Sequence, residues 1–535
     1  MSAVAENTVV SEQSPVQQEQ QQPQQQQQVN LLEMPVTNEN EALNVMVNFL
    51  HLAQRRGAFA IAESSKIYDE LIDSKSYRKS NSDLGKFIDG LNHSDLKEIN
   101  DAKNDSVNSL GISFETYKEK NLYLDRTWPL DFIPRIIEKA EWDYVSKGLV
   151  QRTNALNLFI EDCYNAQSFF KEGLMDPNLI LNSPAFKKEC LGMKLKFSSW
   201  AHICGSDLIR NDDGKFYVLE DNLRVPSGVS YMIENRMVMK KILPDLFNTY
   251  GVLPVDEYPS ELYKMLSSLV DNVKNPEIVL LTPGVYNSAY FEHSYLARQV
   301  GIELVQGSDL EIGTNGFVYK KTIYGPKKID VIYRRINEEF LDPIAWNKES
   351  LIGVPGLIDS WKKNKVTIVN APGSGIADDK AVYAYVPKMI EFFLNEKPIL
   401  NNVKTYLCSI KKDRDYVIDN IDKLVVKPVS ESGGYGIVIG KNASKSEINK
   451  LKNKILKNPR NFVAQPLLNL STSPTYVSGK IEPRHLDLRP FILSGKRNYV
   501  TVGGLTRVAL KKGSYIVNSS QGGGSKDTWV VNNVK

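Results

Sequence analysis

Residues 205–222 read GSDLIRNDDGKFYVLEDN, and this stretch decides both fold and chemistry. Apolar residues on either side of a polar Asn-Asp-Asp-Gly predict two strands joined by a tight reversal, for which Asp and Gly supply the backbone freedom. On the returning strand Glu220 and Asn222 stand two apart and share a face. Pairing with the outgoing strand brings Asp207 beside them, while Asp221 points the other way. Glu220 directly follows the apolar run Phe216–Leu219, where a carboxylate is costly unless a cation satisfies it. Asp207, Glu220 and Asn222 thus form a hard-oxygen set suited to Mg²⁺. A solvated acidic hairpin is the competing reading.

A second cluster lies two hundred residues downstream. KLVVKPVSESGGYGIVIG, residues 423–440, places Lys427 on a strand ahead of Gly433, Gly434 and Gly436. Backbone N–H groups of such a loop approach phosphate oxygens closely, and an ammonium neutralises their charge. The competing reading is a hairpin whose glycines only permit positive φ. No GxxxxGK[ST] loop and no protein-kinase HRDLxxxN or DFG set is present, and GSG at 373–375 is too short for a dinucleotide site. Together the two clusters suggest an ATP-dependent enzyme whose metal half precedes its nucleotide half.

Bulk properties narrow the class. Lys+Arg of 66 against Asp+Glu of 63 leaves a net charge of +3, too balanced to argue for nucleic acid or an anionic membrane. No apolar run approaches the ~18–20 residues of a membrane span, and no secretory or transit signal is evident. Four scattered cysteines without a CxxC pair read as reduced thiols. Five dispersed histidines without HExxH speak against a zinc hydrolase. A cytoplasmic setting is expected.

Along the chain, residues 1–40 read as a disordered Gln-rich tail, with ten Gln between Gln17 and Gln28. Residues 41–120 read as a helical region and 121–260 as the metal-binding half, with a helix from about Tyr231 to Phe247. Arg126, Arg135 and Arg152 could reach a ligand, but ion-paired surface arginines are the stronger reading. Residues 261–362 alternate strand and helix (EIVLLTP, NSAYFEHSYLARQVG, IELVQ, IDVIYRR), which implies a parallel α/β layer. Residues 363–535 carry the Lys/Gly-loop half.

NLRVPSGVSYMIENR (222–236), NAPGSGIADDKAVYAYVP (370–387), VVKPVSESGGYGIVIG (425–440) and LTRVALKKGSYIVNSSQGGGSKDTW (505–529) resemble the circularly permuted ATP-grasp type 2 family. That family is related to glutathionylspermidine synthase and other carboxylate–amine ligases. The resemblance spans roughly residues 120–535 and implies an α/β, circularly permuted ATP-grasp fold. It accounts for the inverted order of the two halves, since permutation moves chain ends at the surface without altering the folded site. It also implies that Asp207, Glu220 and Asn222 hold Mg²⁺ bridging the ATP phosphates. Lys427 and Lys380 would contact ATP, and Gly433, Gly434 and Gly436 would cover the phosphates. Gln465 would sit at the adenine hinge, while Arg489 and Arg507 would stabilise the transferring phosphoryl group. In the synthase branch an Arg precedes the metal-binding Asp by two residues, but that position here is Gly205. Arg224 is the expected substitute, and a glutathione substrate comes into question.

The implied activity is ATP-dependent ligation of a small-molecule or peptide carboxylate to an amine through an acyl phosphate, with ATP and Mg²⁺ as cofactors and no nucleic-acid or membrane partner. Ser227 and Ser230 are candidates for holding the carboxylate substrate, or alternatively cap the helix that follows. Other readings are a non-catalytic ATP-binding scaffold or sensor, and a small-molecule kinase on the same fold.

Overall fold

The computed structural model describes residues 83–118, 122–430, 436–518 and 522–532. Helices Asp83–Gly90 and His93–Ser109 open the described chain, the second held by an Asn92/Asp95 capping box. The expected helical region ends there, because Ser113–Lys118 and Leu122–Thr127 pair as an antiparallel hairpin. Strand β1 (Leu130–Glu138) and helix α1 (Lys139–Tyr164) follow. Trp142, Val145, Leu149, Leu156, Ile160 and Cys163 recur at three-to-four spacing along α1 and form its buried face.

The hairpin of the opening motif is present as β2 (Ile203–Arg210) and β3 (Phe216–Asn222). Its turn is closed by Gly214 at φ +74° donating to the Asn211 carbonyl. Helix α2 (Val229–Ile242) stops earlier than the sequence reading has it, and Pro244 starts a separate helix, Pro244–Tyr250. The reason is local: a proline has no N–H to continue the ladder but suits a first helical turn.

The α/β layer runs β4 (Ile278–Leu281), α3 (Tyr290–Val300), β5 (Glu303–Val305), β6 (Val331–Arg334) and β7 (Thr367–Val369). These strands form a fully parallel sheet in the order β7-β6-β4-β5, as their near-continuous apolar composition implies.

After β8 (Asn401–Asn402) comes a small antiparallel unit: β9 (Tyr406–Leu407), α4 (Lys411–Asp419), β10 (Leu424–Pro428), β11 (Val438–Ile439), α5 (Lys445–Lys457) and β12 (Phe462–Pro466). Sheet order is β9-β12-β10-β11, and Val417 of α4 with Leu451 and Ile455 of α5 covers Leu424, Val426 and Ala464. Burying an aliphatic side chain in this way contributes roughly 1.5–3 kcal/mol.

The chain then returns to the large sheet through β13 (Lys480–Arg489), β14 (Phe491–Leu493), β15 (Leu505–Val508) and β16 (Gly524–Val531). Its ten strands include the order β8-β3-β2-β13-β15-β16-β1, with β14 continuing β13 along β2 beyond Pro490. Strands from 130–138, 203–222 and 480–531 are therefore neighbours. That interleaving positions the site.

Candidate active site

The β2–β3 register places Glu220 directly opposite Asp207 and Asn222 opposite Gly205. A bulge leaves Leu219 unpaired between Val218 and Glu220. Val218 faces the apolar core with Leu208, so uninterrupted alternation would have turned Glu220 into that core as well. The extra residue shifts the phase and re-aims Glu220 and Asn222 to the opposite face. Asp221 points the other way, as the pleat predicts. There it is gripped by Arg152 of α1 at 2.7 Å and accepts a hydrogen bond from Ser206. Arg152 is thus a buried structural partner and not a surface arginine. Arg135 is also buried and donates to the Asp487 carbonyl. The Arg126 side chain lies outside the described residues.

Neighbouring strands complete the acidic half. Arg489 of β13 chelates Asp207, with Nε to Oδ1 at 2.5 Å and Nη2 to Oδ2 at 2.8 Å. Arg507 of β15 donates to the same carboxylate at 2.7 Å and also pairs with Asp487. Burial alone would push the Asp207 carboxyl up, but the guanidiniums of Arg489 and Arg507 outweigh it and hold the group well below the usual carboxylate range. Burial keeps Asp487 raised despite Arg507. Asp487 is a site residue the sequence reading missed. The alternation in RHLDLR, which puts Asp487 and Arg489 on one strand face, is the signal that points to it.

Gly205 has a structural counterpart in this cluster. A Cβ there would meet Pro226 Cβ at 3.1 Å and Arg489 Cδ at 3.4 Å, so the stem of Arg489 lies where a side chain on residue 205 would begin. The guanidinium beside Asp207 comes from β13 and not from two residues earlier on β2. Arg224, the expected substitute, instead pairs with Asp378 at 2.6 Å.

The cationic half faces this cluster. Lys427 on β10 is buried and donates to Gln465 Oε1 at 2.7 Å, while the Gln465 amide donates to Thr405. Gln465 therefore orients the lysine. Lys380 reaches Glu220 at 3.6 Å. Burial lowers the Lys427 pKa to about 8, with Lys380 adding to the fall while Glu220 and Asp207 oppose it. Gly436 takes φ +71°, and a Cβ there would stand 2.8 Å from Pro428 Cγ, so the position admits glycine alone without rearrangement. Gly433 and Gly434 lie outside the described residues.

One cavity of about 190 Å³ unites the halves. Asp207, Glu220, Lys380, Lys427, Asp487 and Arg507 line its polar side, and Leu219, Val403, Val425, Ile437, Ile439 and Leu467 its apolar side. Among the described residues no three His, Cys, Asp or Glu side chains converge as a ready-made metal cage. Mg²⁺ does not require one, since it commonly takes one or two carboxylates and completes its shell with phosphate oxygens and water. Glu220 and Asn222, on one face of β3, fit that role. The oxygens of Asp207 are already engaged by arginines.

Ser227 and Ser230 fall in a neighbouring network. Glu292 of α3 accepts from the Gly228 and Ser230 N–H groups and from Ser230 Oγ, and pairs with Arg335 at 2.9 Å. Ser227 Oγ accepts from Arg335. The N-cap of α2 is Gly228, so neither serine caps it, and a carboxylate from another element satisfies the helix end.

Among the described residues no helix is long and apolar enough to cross a membrane. Residues 134–509 match the family model described as circularly permuted ATP-grasp type 2. An uncharacterized protein of Synechocystis sp. is 49% identical over 438 residues, covering 82% of this chain and 91% of that one. A Frankia casuarinae protein provisionally named a glutamate–cysteine ligase is 37% identical over 468 residues, covering 86% of this chain but 53% of its own length. A glutathione synthetase-like effector of Globodera pallida, solved in its apo form, aligns with a TM-score of 0.51 at 12% identity over 82% of this chain and 97% of the effector; at that identity it speaks for the fold alone. The mixed α/β architecture and a family match spanning most of the chain agree: this protein belongs to the circularly permuted ATP-grasp type 2 family.

Proposed function

We propose that the protein is an ATP-dependent ligase joining a small-molecule or peptide carboxylate to an amine. What carries this reading is the single cleft on which Glu220 and Asp207 from one half and Lys380 and Lys427 from the other converge. A site that only binds nucleotide needs less charge of both signs; phosphoryl transfer needs it for positioning and for offsetting developing charge. The relatives named for glutamate–cysteine ligation point to the same class.

In this proposal the apolar side of the cleft takes the base, and Lys427 and Lys380 meet the phosphates. Glu220 and Asn222 would hold Mg²⁺, whose chemistry when bound would be to offset phosphate charge. Arg489 and Arg507, fixed by Asp207 and Asp487, present guanidinium charge where the carboxylate substrate becomes an acyl phosphate. Attack by the amine on that carbonyl then releases phosphate and leaves an amide. No protein nucleophile is needed. Ser227, held by Arg335 beside Arg489, is the proposed contact for the carboxylate.

The test is ADP release by purified protein with Mg²⁺, ATP and a panel of acid–amine pairs, with product masses recorded. ADP formation that requires both acid and amine supports the ligase and should vanish in Lys427→Ala and Glu220→Ala. A stable phosphorylated acid unaffected by any amine would make the protein a kinase, and tight nucleotide binding without turnover would make it a sensor.

A further inference from the structure

A second cavity, of about 440 Å³, lies at the opposite end of the parallel sheet. Asp330 just before β6 and Thr367 at the start of β7 line it, so it sits at the amino ends of these strands. Arg335, just past the carboxyl end of β6, reaches Ser227 and the Pro226 carbonyl in the loop that Arg489 touches. The two cavities are thus on different sides of the layer.

Its wall is unusually cationic. Lys194, Lys196, Lys328 and Lys365 line it against two carboxylates, Asp271 and Asp330, a balance of four minus two, or +2. Lys196 is paired with Asp271 at 2.6 Å and Lys328 with Asp330 at 2.9 Å. Among the described residues neither Lys194 nor Lys365 has a carboxylate partner. Phe317 carries the Lys328 ammonium 4.7 Å and the Lys365 ammonium 4.4 Å from its ring centre. Like charges lining one cavity repel, and an anion bound there offsets that cost. Trp361 and His202 form buried parts of the wall, and among the described residues His202 Nδ1 has no hydrogen-bond partner. Burial lowers the His202 pKa to about 3, so the ring offers a neutral polar atom, not a fifth cation.

We propose that this cavity binds a compact polyanion, carrying two or three carboxylate or phosphate groups, through Lys194 and Lys365, at a site separate from the nucleotide cleft. The volume suits a small metabolite, since ligand pockets run from ~300 Å³ upward.

Trp361 supplies the assay. The tryptophan fluorescence of the full-length protein, in which Trp361 is one of six tryptophans, is titrated at physiological ionic strength with citrate and with inorganic pyrophosphate, and calorimetry repeats each titration. A saturable signal is expected for at least one probe, and the tighter one distinguishes carboxylate from phosphate chemistry. Lys194→Ala/Lys365→Ala should weaken it about tenfold or more, and the charge-reversing Lys194→Glu should abolish it. Both changes are on partly exposed side chains, so folding is checked by circular dichroism. Lys427→Ala should leave the affinity unchanged. Failure of both probes to saturate, an unaltered affinity in the lysine variants, or loss of binding in Lys427→Ala would each overturn the assignment.

Discussion

Lys427 makes the most direct claim on experiment, because its pKa of about 8 in the free protein lies where protons can be counted. At pH 8 the ammonium is about half populated. Phosphate oxygens brought beside it favour the charged form, so nucleotide binding raises the pKa and takes up a proton. Uptake should be about half a proton per nucleotide at pH 8, about 0.1 at pH 7, where the group is already charged, and approaching 0.9 at pH 9. The sign is fixed: protons enter on binding, and affinity falls as pH rises. If only the ammonium binds well, the dissociation constant increases about tenfold between pH 7 and pH 9. Calorimetry in two buffers of different ionisation enthalpy reads the proton count directly. Lys427→Met fills the same buried space without titrating, and at higher protein concentration its uptake should be near zero across this range. Equal uptake in wild type and Lys427→Met, or none in wild type at pH 8, would refute the placement of this lysine against phosphate.

Three further outcomes follow from the geometry. Arg152→Met strands Asp221 in the core without its partner and should destabilise the fold by about 3–5 kcal/mol, read as a lower chemical-denaturation midpoint. Arg489→Lys removes the two-pronged grip on Asp207 and should lower kcat about a hundredfold while nucleotide affinity changes little, which single-turnover kinetics would resolve. Gly205→Ala crowds Pro226 and Arg489 and should cost about 1–3 kcal/mol of stability by thermal unfolding; a neutral result would mean that Arg489 has room to move.

Local chemistry was legible in the sequence wherever one segment sufficed. The reversal at 211–214, the shared face of Glu220 and Asn222, the turn of Asp221 to the opposite face and the parallel strands of 278–334 all follow from alternation and turn residues. What stayed hidden depends on distant neighbours. Nothing in β3 announces that Leu219 bulges, because the bulge is defined against β2. Arg489 and Asp207 are 282 positions apart, and only the strand order reveals that a missing side chain at Gly205 makes room for one from β13. Glu292 capping α2 is hidden for the same reason, being 62 residues from Ser230. The helix boundary at Ile242 was missed although Pro244 marks it, since the apolar spacing runs on past the break.

The strand β16 is inserted between β15 and β1, parallel to the latter, and its Lys526 reaches across to Asp131. An interior slat is therefore synthesised after every other described strand of its sheet. Until it arrives, β1 has no strand to pair with in this sheet and the edge of β15 is open. A stop codon shortly before Gly524 would strip β1 of its strand neighbour and leave the edge of β15 bare, so truncated products should be cleared by proteases and not persist as weakened protein.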